Sequence, residues 1–304
     1  MRVAVTGGSG FLGRSVVSAL VAKGFDVLVI DNDWRGNSKL LDKKTTFIDC
    51  DIRDQEKFIK ATRGVNSIVH LAFINGTRHF YESPDLVIDV GIRGMLSVNE
   101  AVKQNKIEEL ILFSTSEVYQ QPVTIPTSED VCLTIPDILN PRYSYGGAKI
   151  TCELITIHLT SNFLKSWKII RPHNIYGPRM GNDHVIPELF NKVKENMNVL
   201  DIQGDGSQTR SFCNILDFES AISLILDSQE TNQIYHVGVR DEVKIRKLAE
   251  MIMEVCDKKL RIRETKPRQG ETQRRCPDIT KIENLGFEQK ITLKEGLSEY
   301  FRSI

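Results

Sequence analysis

Short apolar runs alternate with longer segments of helical periodicity over residues 1–172. The apolar runs are 3–5, 27–30, 46–48, 67–71, 110–113 and 167–170. Helical periodicity fills the intervals at 11–23, 54–62, 84–103 and 142–164. Strands that alternate with helices predict an α/β fold, a Rossmann-type doubly wound parallel sheet with right-handed crossovers. Uninterrupted apolar runs suit strands that are buried on both faces.

The pattern changes after Pro172, where elements become shorter, turns multiply and arginines recur in the loops. The stretch 213–236 still combines a helical segment, 216–228, with an apolar run, 234–237, so we expect it to return to the main sheet. Two units follow from this pattern and should face each other across the ligand cleft. They are a dinucleotide-binding domain of 1–172 plus about 213–237, and a smaller discontinuous α/β C-terminal substrate lobe of 173–212 and 238–304.

The first apolar run leads directly into a glycine-rich turn. Gly7, Gly10 and Gly13 have the spacing that allows a tight turn, close approach to a pyrophosphate and close helix–strand packing. The second apolar run ends at Asp31, where an acid hydrogen-bonds the adenosine ribose and repels a 2′-phosphate. The sequence therefore predicts NAD as the cofactor, although Arg35 nearby leaves NADP open.

A tyrosine and a lysine stand four residues apart in the predicted helix 142–164. Tyr145 and Lys149 would share one helix face. A cation beside a phenol lowers the pKa of the phenol, so the pair suits removal of a proton from a sugar hydroxyl. The same spacing also arises by chance. Gly146 and Gly147 lie between the two and are unfavourable in a helix interior, which indicates a close approach or a first helical turn.

Hydroxyl side chains follow the fifth apolar run, at Ser114, Thr115 and Ser116. At a strand end they are well placed to hydrogen-bond the substrate oxygen that Tyr145 would deprotonate. A turn or a helix cap is the alternative explanation.

The glycine loop, the strand-end hydroxyls and the tyrosine–lysine pair, in this order, resemble the extended short-chain dehydrogenase/reductase family, in its nucleotide-sugar epimerase/dehydratase branch. The resemblance spans essentially the whole chain and implies a nucleotide-diphosphate sugar as substrate. The catalytic residues that it implies are Thr115, Glu117, Tyr145 and Lys149. The cofactor contacts that it implies are Gly7, Gly10, Phe11, Leu12, Gly13, Asp31, Asn32, Asp51, Ile52, Leu71, Ala72, Tyr145 and Lys149. The substrate contacts that it implies are Ser116, Asn174, Arg210 and Arg268.

Members of this branch begin by oxidising a hexose hydroxyl, usually at C4. Glu117 in the triplet Thr115-Ser116-Glu117 resembles the carboxylate of 4,6-dehydratases and decarboxylases, and so slightly favours a 4,6-dehydratase-type lyase. The alternatives are a 4-epimerase, a uronic-acid decarboxylase, a net C4 dehydrogenase or reductase, and a non-catalytic NAD-binding sensor or scaffold. The sequence also departs from the family pattern at Gln120, where a glycine is common, and at Gly146-Gly147.

Composition narrows the range of partners and compartments. The chain has 40 Lys and Arg residues against 40 Asp and Glu residues, so we expect neither a nucleic-acid nor a membrane partner. No apolar run approaches the roughly 20 residues of a membrane span, and the first strand leaves no room for a signal peptide. Six scattered cysteines predict reduced thiols in a cytoplasmic protein, and the spacing of ligand residues predicts no metal site.

Two long helical segments, 84–103 and 142–164, have more apolar positions than one sheet face requires. The resemblance implies that the corresponding helices form a four-helix bundle between subunits. We therefore expect a homodimer that is assembled through these two segments.

Overall fold

The structure of the protein is a computed structural model, which describes residues 1–195, 197–266, 270 and 272–304. Strands β1–β14 are Arg2–Thr6, Asp26–Asp31, Thr46–Asp49, Ser67–His70, Glu109–Phe113, Ser166–Pro172, Ile175–Tyr176, Val199–Gln203, Thr209–Ser211, Cys213–Asn214, Gln233–Val237, Glu242–Lys244, Arg261–Thr265 and Arg274–Arg275. Helices α1–α10 are Phe11–Ala22, Gln55–Ala61, Thr77–Glu82, Pro84–Asn105, Ser144–Leu154, Val185–Glu195, Ile215–Asp227, Ile245–Val255, Thr280–Glu283 and Leu293–Arg302. Short 3₁₀ turns lie at Ser38–Leu40, Ser116–Tyr119, Pro141–Tyr143 and Thr160–Phe163.

Seven strands form the central sheet in the order β11-β6-β5-β4-β1-β2-β3, and all neighbouring pairs are parallel. Both faces of this sheet are covered. Val3 and Val5 of β1 face a core that includes α1 and α7, whereas Ala4 faces the core built with α2, α4 and α5. The predicted Rossmann-type doubly wound fold is therefore confirmed, and its apolar runs are strands that are buried on both sides.

The smaller lobe contains three short sheets, β7 with β10, β8 with β13, and β12-β9-β14. Its own core packs α6, α8 and α10 together, with Phe190 and Leu248 fully buried. One part of the predicted boundary differs from the structure. Ile279, Ile282 and Phe287, which were assigned to the substrate lobe, lie in the core of the dinucleotide domain, because α9 packs against β11.

The predicted single helix 142–164 is interrupted. Helix α5 ends at Leu154 and continues as a π-helical turn, Ile155–Leu159, before the 3₁₀ turn Thr160–Phe163. The hydroxyls of Thr151, Thr156 and Ser161 each donate to the carbonyl oxygen four residues earlier, at 2.6–3.0 Å. Such bonds compete with the regular backbone pattern and bend helices, which residue periodicity alone does not reveal. None of the described helices combines the length and the apolar character that a membrane crossing requires.

Candidate active site

A cleft lies beyond the carboxyl ends of the central strands, where a doubly wound sheet presents its loops. A cavity of about 330 Å³ occupies the side of the cleft next to β1, β2 and β4. The residues that sequence reasoning assigned to the cofactor all line it: Gly7, Gly10, Phe11, Leu12, Gly13, Asp31, Asn32, Asp51, Ile52, Leu71, Ala72, Tyr145 and Lys149.

The glycine loop has the shape that a dinucleotide requires. Gly7 has φ +70°, and a Cβ there would stand 2.6 Å from the amide nitrogen of Ala72. A Cβ on Gly13 would overlap the carbonyl oxygen of Gly7. Gly10 is the N-cap residue of α1 and has no side chain that could accept a hydrogen bond from the first amides of the helix. These amides suit a pyrophosphate, and the cavity residues therefore fit a bound dinucleotide.

Acidic side chains line the outer end of the same cavity. The Asp31 carboxylate accepts hydrogen bonds from the backbone N–H groups of Ser9 and Asp33, each at 3.0 Å. Arg35, which left NADP open, donates to the carbonyl oxygen of Asn75, and its guanidinium lies 3.9 Å from the Asp183 carboxylate. The guanidinium thus contacts the opposite side of the cleft.

The inner end of the cavity brings the predicted catalytic side chains together. The Thr115 hydroxyl lowers the pKa of the Tyr145 phenol, and it accepts a hydrogen bond from the backbone N–H of Glu117 at 3.2 Å. One turn along α5, the Lys149 ammonium donates to the carbonyl oxygen of Phe113 at 2.6 Å. The end of β5 and the start of α5 therefore form one site.

Burial sets the pKa values of both Tyr145 and Lys149, and the lowering of the phenol pKa by Lys149 stays a prediction. Burial raises the pKa of Tyr145, and the Glu117 charge adds to this, while Thr115 lowers it. The phenol ring lies between Phe80, stacked at 4.8 Å, and Phe73, perpendicular at 5.3 Å between centroids. Burial also lowers the pKa of Lys149, to about 8. Burial therefore favours the uncharged forms of both side chains.

Glu117 is held by arginines that sequence reasoning did not assign to the site. Its carboxylate accepts from Arg275 at 2.7 Å and lies 3.8 Å from Arg142. Burial by itself would raise the pKa of Glu117, but Arg275 first, then Arg142 and Arg210, bring that pKa down to about 2. Glu117 is therefore ionised at neutral pH and has no proton to donate.

The sequence contains a signal for Arg142, because this residue lies three positions before Tyr145. Arg275 lies 158 positions from Glu117 and reaches it only in the folded chain.

A second cavity, of about 210 Å³, continues the cleft into the smaller lobe and is lined by Glu117, Asn174 and Arg210. The Asn174 amide donates to the carbonyl oxygen of Ser211 at 2.9 Å. Arg210 donates to the carbonyl oxygens of Thr209 and Thr272, each at 2.7 Å.

Two of the predicted substrate residues are not among the described residues that line the second cavity. Ser116 is buried and lines neither cavity in the part of the chain that the structure describes. Arg268 lies outside the described residues. His184 was missed by sequence reasoning, and it lines both cavities. Of the four predicted substrate residues, Asn174 and Arg210 line the second cavity, together with Glu117.

Both departures from the family pattern meet at one contact. Gln120 adopts φ +50° and donates its side-chain amide to the carbonyl oxygen of Glu117 at 2.6 Å. A Cβ on Gly146 would lie 2.5 Å from that amide nitrogen and 3.0 Å from the Glu117 oxygen. Gly146 therefore allows the turn that holds Glu117 to pack directly on α5.

The chain is similar to proteins of known class over nearly its full length. A family model described as the NAD dependent epimerase/dehydratase family matches residues 3–238. A "Putative UDP-glucose 4-epimerase" of Methanocaldococcus jannaschii is 30% identical over 97% of this chain and 95% of its own length. A UDP-N-acetyl-alpha-D-glucosaminuronate decarboxylase of Bacillus cytotoxicus is 29% identical over 100% and 98%. The crystal structure of a Thermotoga maritima UDP-glucose 4-epimerase with UDP-glucose gives a TM-score of 0.89 at 25% identity, covering 100% and 98%.

Proposed function

The chain belongs to the NAD-dependent epimerase/dehydratase family, and on that premise we propose that this enzyme is a UDP-hexose 4-epimerase. The observation that carries the proposal is the state of Glu117, which is ionised between Arg275 and Arg142. Beside it stands the pair Tyr145 and Thr115, which acts on the sugar hydroxyl. The site thus has the groups that remove the proton of a sugar hydroxyl during oxidation, whereas Glu117 has no proton to donate.

The residues that line the cleft have different roles in the proposed reaction. Tyr145 takes the proton of the C4 hydroxyl, and Thr115 hydrogen-bonds the same oxygen and holds the phenol in place. Lys149 supplies the positive charge that favours the phenolate. The cavity lined by Gly7, Gly10, Gly13 and Asp31 would hold NAD, which would supply hydride transfer at C4 when bound. Asn174 and Arg210 bind the diphosphate, which lets the sugar turn while the nucleotide stays in place.

Ionised Glu117 weighs against the 4,6-dehydratase that the sequence slightly favoured. Expulsion of water from C6 needs a proton donor, and removal of the C5 proton needs a free base. The Glu117 carboxylate is already hydrogen-bonded to Arg275, and its pKa of about 2 leaves it without a proton at neutral pH. An epimerase needs no acid or base beyond Tyr145. The names of the Methanocaldococcus jannaschii and Thermotoga maritima proteins support the same choice.

A uronic-acid decarboxylase is the second candidate, and one observation favours it. Arg275, Arg142 and Arg210 all lower the pKa of Glu117, so three guanidinium groups lie close to one point of the cleft. Guanidinium groups bind carboxylates well, which suits a sugar carboxylate at C6. After oxidation at C4, that carboxylate belongs to a β-keto acid, which loses carbon dioxide without a protein acid. The Bacillus cytotoxicus relative is named for such a reaction.

Product analysis in heavy water separates these reactions. UDP-glucose, UDP-N-acetylglucosamine and UDP-glucuronic acid are each incubated with the enzyme and NAD, and the products are measured by mass spectrometry and chromatography. A new peak of unchanged mass is expected from a hexose. Loss of carbon dioxide from the uronic acid alone would establish the second candidate instead. Loss of water with deuterium incorporation would overturn both and restore the dehydratase.

Glu117→Gln tests the role of the carboxylate directly. Because epimerisation makes no use of a Glu117 proton, the variant is expected to keep C4 oxidation and epimer formation within about tenfold of the wild type. NADH absorbance in single-turnover experiments reports the oxidation, and chromatography reports the epimer. Elimination that occurs in the wild type and stops in Glu117→Gln would give Glu117 the acid/base role.

A further inference from the structure

One aromatic side chain touches both Tyr145 and Lys149. The Lys149 Nζ lies 4.0 Å from the centroid of the Phe73 ring. The same ring meets the Tyr145 ring edge-on, with 5.3 Å between centroids and 86° between planes. Phe73 directly follows the cavity residues Leu71 and Ala72 and lines the first cavity with them.

The Phe73 ring packs against Gly91 of the neighbouring helix α4, and we call this position the seat of the ring. Gly91 is buried in the interior of α4, where glycine is unfavourable because it adds backbone freedom to the unfolded chain. A Cβ at this position would overlap the far edge of the Phe73 ring, because it would lie closer than ordinary van der Waals contact to three ring atoms. The ring position therefore depends on the absence of a side chain at residue 91.

Few groups favour the charged form of Lys149. Cys152 and Glu153 face it from its own helix and His70 faces it from β4. Burial first, and then the Lys149 charge, lower the pKa of His70 to about 3, so His70 is neutral.

The Glu153 carboxylate is engaged elsewhere, because Arg171 donates to it at 2.6 Å and Ser114 at 2.5 Å. Among the described residues, no carboxylate lies within ion-pair distance of Lys149. The Phe113 carbonyl and the face of the Phe73 ring are thus the direct partners of the ammonium.

We propose that Phe73 is a positioning residue whose ring keeps the Lys149 ammonium charged and in place at the Phe113 carbonyl, and that Gly91 provides the seat of this ring. The ring acts through its quadrupole, whose negative face attracts a desolvated cation. Its effect on Lys149 is a property of the folded chain. Its effect on turnover rests on the proposed function, in which the charged lysine assists Tyr145.

The first test measures the protonation of Lys149 without any reaction. Phe73→Leu keeps apolar bulk and removes the ring quadrupole, so the pKa of Lys149 should fall by about half a unit or more. The pKa is followed by NMR titration of lysines labelled with ¹³C at Cε, and the Lys149 signal is assigned by its loss in Lys149→Arg. Phe80→Leu removes the ring stacked on the Tyr145 phenol, which has no cation–π contact with Lys149 among the described residues, and should retain the wild-type pKa of Lys149.

Gly91→Ala tests the seat independently. The added methyl displaces the Phe73 ring, so this variant should lower the pKa of Lys149 as Phe73→Leu does. In the double variant the second change should add nothing, because the ring is already absent. Gly91→Ala also leaves Phe73 in the chain, so it answers the question if Phe73→Leu does not fold. Additive shifts would contradict the proposed seat.

The pH profile of C4 oxidation connects the residue to turnover. Activity needs the charged lysine, so the alkaline limb of kcat/KM should move to lower pH in Phe73→Leu by the same amount as the NMR shift. Folded variants with an unchanged Lys149 pKa would overturn the proposal. A wild-type enzyme that oxidises no nucleotide sugar would overturn the proposed function instead, and the NMR titration would still decide the role of Phe73.

Discussion

Tyr145 owes its protonation state to the side chains that surround it. The phenol is buried between Phe73 and Phe80, and burial raises its pKa above the ordinary value, while Thr115 lowers it. In the proposed reaction, proton transfer to this group therefore relies on stabilisation of the phenolate by Lys149. Both side chains titrate in that reaction, so the pH dependence of turnover belongs to the pair.

Tyr145→Phe removes the proton acceptor and leaves the ring packing intact. Conversion of the sugar should fall by at least about a hundredfold, because general base catalysis contributes on that order, while NAD remains bound. Turnover by chromatography and NAD binding by calorimetry are the two measurements. Tyr81→Phe, on a partly exposed tyrosine of α3, is the matched control and should match the wild type. Undiminished turnover in Tyr145→Phe would refute its assignment.

At the scale of elements, helix α5 serves as a platform for the turn that holds Glu117. The first turn of the helix has no side chain at Gly146, and the 3₁₀ turn Ser116–Tyr119 packs against it there. Gly147 differs, because a Cβ on it would meet only the flexible end of Ile135, at 3.2 Å. The two glycines therefore have different functions, which only the packing of the elements distinguishes.

Gly146→Ala and Gly147→Ala form a matched pair. Both substitutions favour the helix by up to about 1 kcal/mol, but the first forces the Glu117 turn away from α5. Activity should fall by on the order of ten- to a hundredfold in Gly146→Ala, because Thr115 caps the same turn and would be displaced relative to Tyr145. Gly147→Ala should stay close to the wild type in activity and gain thermal stability. Equal activities would show that the close approach at Gly146 has no functional importance.

At the scale of the whole molecule, apolar side chains remain exposed on the helices that were predicted to form a subunit interface. Five apolar side chains there are each 40–51% exposed, namely Ile88 and Leu96 of α4, Leu154 of α5, and Leu159 and Phe163 just beyond α5. Exposed apolar residues that share neighbouring helices favour an interface between copies of the chain. We therefore keep the homodimer as a proposal.

Sedimentation equilibrium at micromolar concentration is expected to give a dimeric mass. Leu154→Glu should shift the equilibrium to monomer, since a carboxylate in an apolar interface must be desolvated. Leu216→Glu changes an equally exposed leucine, 51% in each case, on the opposite side of the sheet in α7, and should leave the dimer intact. A wild-type monomer under these conditions would contradict the proposal.

The sequence by itself determined the sheet, its helices and the walls of the cofactor cavity. These features follow from hydrophobic periodicity and from the backbone freedom of Gly7 and Gly13, both of which are local properties. The order glycine loop, Thr115, Tyr145 and Lys149 also predicted which side chains would meet, because the carboxyl ends of parallel strands lie at one edge.

Only the tertiary structure decided how these groups are charged and held. Glu117 is ionised because Arg275, 158 positions away, folds against it. Lys149 contacts Phe73 because Gly91 on another helix leaves room for the ring. Electrostatic and packing energies depend on distances in space and on desolvation, and spacing along the chain encodes neither of them.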